Sequence, residues 1–191
     1  MSKRLSRGRL YALNAFGQAV TDTAGAGSLG AIGSQTQTRE GSLITTDFQI
    51  DFGSSTSPMS SSATVGLTGA GTEVINDGSA DGGQILQLSN TTHGIVAEVE
   101  LICVEAPAGG EDNIGVWRGD NISGSGAQMN LGGTELIAAA VQTVGLIGND
   151  LPDADLAGKY IYLASSGSTH GTYTAGKFIL RVYGYPVFDD V

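Results

Sequence analysis

Residues 156–185 read LAGKYIYLASSGSTHGTYTAGKFILRVYGY. In KFILRVY, Phe178, Leu180 and Val182 point one way and Lys177, Ile179, Arg181 and Tyr183 the other, the period-two pattern of a strand with one buried face. KYIYLA is a second strand, and the intervening SSGSTHGT (165–172) supplies the small, turn-forming residues of a long hairpin connection, so the two are expected to pair. Seven of the twelve aromatic residues lie at or beyond Tyr160, which places the core anchors at the C-terminal end. Apolar side chains occur on both faces of this unit, Ile161 and Leu163 opposite Tyr160 and Tyr162, and Ile179 opposite Phe178 and Leu180. One sandwich core needs only one such face, so the pattern predicts a homotrimer or another small symmetric oligomer joined through this unit.

Upstream, the same period recurs. SLITTDFQIDF (42–52) sets Phe48, Ile50 and Phe52 against Asp47, Gln49 and Asp51, while HGIVAEVELICVE (93–105) gives Ile95, Ala97, Val99, Leu101 and Cys103 one wholly apolar face and predicts a central strand. Shorter strands are expected at 63–67, 72–75, 84–88, 111–119 and 127–131, separated by Gly-Asp and Gly-Gly turn signals. In GGTELIAAAVQTVG (132–145), Leu136, Ala140 and Val144 recur every four residues beside Ile137 and Val141, with Thr134 placed to cap, which predicts one short helix. Short strands at regular spacing with at most one short helix specify an all-β fold, an antiparallel β-sandwich with a jelly-roll-like body. Residues 42–191 form that body. Residues 1–41, with the small-residue run TDTAGAGSLGAIGSQTQT, read as an extended N-terminal arm that has little to bury by itself.

Charge is divided unevenly along the chain, at residue 9. Lys3, Arg4, Arg7 and Arg9 are four of the nine basic residues, which leaves five against nineteen acidic ones beyond residue 9, a net −14. Such a body repels nucleic acid, so nucleic acid is not the expected partner. The one cysteine, Cys103, lies in an apolar strand pattern and reads as a buried thiol. No apolar run approaches the roughly 18 residues of a membrane span, and the basic start lacks the apolar run of a signal peptide, so a soluble, unprocessed chain is expected.

Several patterns carry potential chemistry. Gly25, Gly27 and Gly30 match G-x-G-x-x-G, but no strand leads in and no amphipathic helix leads out, which argues against dinucleotide binding. Asn149, Asp150, Asp153 and Asp155 offer oxygen ligands without the central Gly and terminal Glu of a calcium loop, so a solvated turn is the better reading. His93 and His170 are isolated, and with Cys103 they make a poor zinc set. Glu98 and Glu100 share a strand face, the outer face of a half-buried strand by default. Arg118, Gly119 and Asp120 spell RGD, a tripeptide that arises easily in a Gly-rich chain, and Trp117 beside Ile114 and Val116 fits the core better than a sugar-stacking platform. No nucleophile elbow is present, so neither catalysis nor a metal or other cofactor is expected.

The opening SKRLSRGRLYALNAFGQAVTDTAGAG and the closing GKYIYLA and GTYTAGKFILRVYGY, around a turn-rich acidic body, resemble small virion proteins of tailed, aquatic bacteriophages. The resemblance implies a structural role: a capsid decoration or cement protein, commonly a jelly-roll-like trimer, that stabilises the head from outside and is made in the host cytoplasm. Its partner would be the major capsid protein, gripped by the arm through the cations Lys3, Arg4, Arg7 and Arg9 and the apolar anchors Leu10, Tyr11, Leu13 and Phe16. A tail-tube or tail-completion subunit, or a carbohydrate- or receptor-binding β-module, remains the alternative.

Overall fold

The computed structural model of the protein describes residues 32–53, 60–66, 73–76, 84–120, 134–166 and 171–186. Twelve strands and one short helix occur among them. Strands β1 (Ile32–Glu40), β2 (Leu43–Asp51), β6 (Ile95–Ala108), β9 (Ile147–Asp150) and β12 (Ala175–Tyr185) form a five-stranded sheet in the order β1-β2-β12-β6-β9. Strands β3 (Ser60–Gly66), β4 (Glu73–Asn76), β5 (Gln84–Gln87), β7 (Asn113–Gly119), β8 (Thr134–Val141), β10 (Tyr160–Ser165) and β11 (Gly171–Thr172) form the other, ordered β11-β3-β4-β10-β7-β8, with β5 also paired to β10. All pairings are antiparallel.

The alternation read from the sequence decides what each strand buries. Phe48, Ile50 and Phe52 of the β2 stretch, Val99, Leu101 and Cys103 of β6 and Phe178, Leu180 and Val182 of β12 are almost fully buried, and they meet Ile75, Ile114, Val116, Ile161 and Leu163 from the other sheet. The arrangement is an all-β sandwich with one core between two sheets. At one end, Phe52 packs its ring 4.7 Å from Tyr173 and 4.8 Å from Phe178.

The connectivity is a nested wrap. The pairs β2·β12, β4·β10, β6·β9 and β7·β8 match the early strands with the late ones in reverse order, as if one long antiparallel ribbon, doubled back between β7 and β8, had been rolled around the core. This is the jelly-roll topology.

Several expectations are corrected. β10 and β12 do not pair: each is an interior strand of a different sheet, because the wrap sends consecutive strands to opposite sheets. The helix expected at 134–145 is strand β8; register shifts against β7 turn the consecutive residues Leu136 and Ile137 both inward, which imitates helical spacing in the sequence. The short helix is instead α1 (Asn90–His93), whose N-cap Ser89 side chain accepts from the Thr91 N–H at 3.2 Å. In β6 a register shift near Ala97 turns Val96 inward and leaves Ile95 at 51% exposure, so the apolar face begins at Val96 rather than Ile95. The sheet begins at Ile32, ahead of the Ser42 boundary, because residues 32–40 pair along β2. Residues 1–31, and the strand expected at 127–131, lie outside the described residues. Of the residues behind the oligomer expectation, Ile161, Tyr162, Leu163, Phe178 and Leu180 are buried within the single chain, while Tyr160 and Ile179 are half-buried.

Candidate interaction surface

The feature that stands out on the described surface is the outer face of the five-stranded sheet. β12 lies between β2 and β6, and its outward Arg181 stands in register with Asp47 on one side and Glu100 on the other. The guanidinium grips Asp47 with two hydrogen bonds, Nε to Oδ1 at 2.7 Å and Nη2 to Oδ2 at 2.8 Å, and its Nη1 lies 3.8 Å from Glu100 Oε2. Tyr183 donates to the same Glu100 oxygen at 3.0 Å and places its ring 5.9 Å from the Arg181 Cζ. The two-pronged geometry is the strong form of an ion pair, and it laces three strands together. It raises the Arg181 pKa, chiefly through the bond to Asp47 and against the cost of burial. The Tyr183 hydroxyl is raised as well, first by burial, with Glu100 adding and Arg181 opposing.

Beside this polar row runs an apolar one. Ile179 pairs with Ile102, and Ile102 with Ile147 on the edge strand β9, where Ile147 is 56% exposed. Val104, two residues along β6 from Ile102, is exposed as well, as is Val144 in the turn that leads to β9. Glu98, one step along β6 from Glu100 on the same face, accepts from Asn149 Nδ2 at 3.1 Å, and no cation among the described residues pairs with it. The other cation of the face, Lys177, is held by Glu105 at 2.9 Å. The face is therefore apolar with an acidic margin whose neighbouring positive charges are already engaged.

The other sequence candidates are scattered. Glu98 and Glu100 do share the outer face, and β9 brings Asn149 to them, but the rest of the Asn149–Asp155 cluster diverges: Asp155 accepts from the Ala157 N–H and Asp153 lies 3.8 Å from Arg118. No group of residues placed to hold a metal ion occurs among the described residues. The RGD tripeptide ends strand β7, with Gly119 buried and Asp120 paired to Lys159, so it is not presented on a loop tip. His93 is buried on α1, its Nδ1 accepting from the Ser89 N–H at 3.0 Å, and its ring stands 6.3 Å from Phe48. Cys103 is buried, which raises its thiol pKa. Trp117 is half-buried. His170, the three glycines Gly25, Gly27 and Gly30, and the arm residues Lys3, Arg4, Arg7, Arg9, Leu10, Tyr11, Leu13 and Phe16 lie outside the described residues.

The Asp47–Arg181–Glu100–Tyr183 ladder was not singled out from the sequence. Its signal was present, a charged residue at an outward position of each of three strands, but only the strand order shows that the three are neighbours. No helix among the described residues is long and apolar enough to cross a membrane. No family model, curated protein or solved structure matches the chain.

Proposed function

We propose that the protein is a structural component of a tailed-phage particle, a decoration or cement protein that sits on the outside of the head and reinforces it. The observation that carries the reading is the division of the chain into a basic N-terminus with apolar anchors and an acidic jelly roll. Jelly rolls are a recurrent solution for virus shells, although the fold alone does not choose a function. A chain that carries a net −14 beyond residue 9 is repelled by packaged DNA and is well solvated on the outer surface, which favours outside over inside.

In this reading the major capsid protein is the partner, and Leu10, Tyr11, Leu13 and Phe16 are the contacts that compensate the ordering of a Gly/Ala-rich segment. Apolar anchoring keeps most of its strength in moderate salt. Four cations on phosphates would instead lose about two orders of magnitude in affinity between about 50 and about 200 mM.

The test is the position of the protein in intact particles. Antibody-gold labelling, together with a membrane-impermeant amine reagent directed at lysines, should mark the outer head before the shell is opened. Labelling confined to opened shells, or found on the tail, overturns the reading.

A further inference from the structure

The apolar row on the outer sheet face has an acidic margin, and its chemical complement occurs in this same chain. We propose that the outer face between β6 and β9 receives the N-terminal segment, residues 3–16, of a second copy of the protein. The receiving surface is the row Ile179, Ile102 and Ile147, extended by Val104, with Glu98 and Glu100 alongside. The occupant carries Lys3, Arg4, Arg7 and Arg9 followed by Leu10, Tyr11, Leu13 and Phe16, cations first and apolar anchors after.

Charge decides against the simplest alternative, a face-to-face dimer. A two-fold axis at the Glu98–Glu100 row would set these carboxylates against their own copies, and one at the apolar row would bring them no uncommitted cation, since Arg181 lies between Asp47 and Glu100 and Lys177 is held by Glu105. An incoming segment with four positive charges instead neutralises the margin as its apolar residues cover the patch. Length permits the exchange: residues 17–31 can span up to about 50 Å when extended. The segment joins the body at β1, the edge of the sheet opposite β9 and about 19 Å from it by strand spacing. It leaves the sheet at Ile32, in the row of Ile50 and Phe178, so to reach its own patch it would have to lie over Gln49, Asp51 and Lys177 and would leave the chain monomeric, whereas a neighbour's segment arrives from solvent.

The inference stands apart from the phage reading and needs only the purified protein. It gives the N-terminus a docking place off the particle, one that a tighter-binding partner could compete for.

Sedimentation of the full chain at tens of micromolar should show an oligomer that weakens as salt rises. Ile147→Lys and Glu98→Lys, both at solvent-accessible positions, should each weaken association by about ten-fold or more, because each sets a positive charge against the arriving cations. Changing Lys3, Arg4, Arg7 and Arg9 together to Glu should do the same, and combining that change with Glu98→Lys should restore part of the loss. A synthetic peptide of residues 2–17 should dissociate the wild-type oligomer. A strictly monomeric full chain overturns the proposal, and so does an oligomer indifferent to the four N-terminal changes. So too does an oligomer that needs those cations but ignores both Ile147→Lys and Glu98→Lys, since the segment would then dock elsewhere.

Discussion

Tyr173 shows how tightly single residues are constrained at the aromatic end of the core. Its hydroxyl donates to the Glu111 carbonyl at 2.7 Å, its ring packs against Phe52, and a Cβ added at Gly110 would lie 2.7 Å from the ring. Gly110→Ala should therefore cost about 1–3 kcal/mol through overpacking, and Phe52→Ala about 3–5 kcal/mol through cavity formation, both read from urea denaturation with an unchanged m-value. At the Arg181 ladder a double-mutant cycle of Arg181→Met with Asp47→Asn should return a coupling of about 1–2 kcal/mol; the side chains keep 29% and 24% exposure, so solvent screening holds it below that of a fully buried pair. Burial raises the pKa of Tyr162 and of Tyr183. A raised folded-state value means that the folded protein holds the proton more tightly, so stability is full below the ordinary tyrosine pKa of about 10 and is lost as pH rises above it. Tyrosinate absorbance should accordingly show these residues titrating late, together with alkaline unfolding. The burial of Cys103 was legible because its strand alternates cleanly; the role of Arg181 was not, because it depends on which strands are neighbours.

At the scale of elements, periodicity reports which face a residue occupies and is silent on what lies beside it. That is why Phe48, Ile50, Val99 and Leu101 reveal β2 and the apolar core of β6, whereas KYIYLA and KFILRVY, which read as partners, belong to different sheets. β8 failed for another reason. Three consecutive alanines carry little strand preference, and the register shifts beside Gly115, where an added Cβ would meet the Ile137 carbonyl oxygen at 2.5 Å, break the alternation. The two assignments make opposite predictions for Ala138 and Ala140, both exposed. Ala138→Thr and Ala140→Thr should be neutral or stabilise the strand by up to about 1 kcal/mol, whereas a helix would lose about 0.5 kcal/mol at each. Thermal melts of the two variants read the difference. β1 is not legible in the sequence because IGSQTQTRE has almost no apolar alternation; an edge strand of polar composition leaves little trace in hydropathy.

At the scale of the whole molecule, the nested wrap joins distant parts of the chain: the Arg181–Asp47 contact closes a separation of 134 residues. Such long-range pairing predicts refolding on the slow side for a single domain, in the range of about milliseconds to seconds, in one cooperative transition rather than sheet by sheet. The wrap also sets an order of events during synthesis. β10 and β12, interior strands of the two sheets, follow the strands they join, so neither sheet can be completed before residues 160–185 have left the ribosome. The nascent chain carries β2 and β6 without the strand that lies between them until β12 emerges, and a chain stopped at residue 174 lacks that strand. Emergence of β12, rather than any earlier step, becomes the checkpoint that admits a chain to the folded pool.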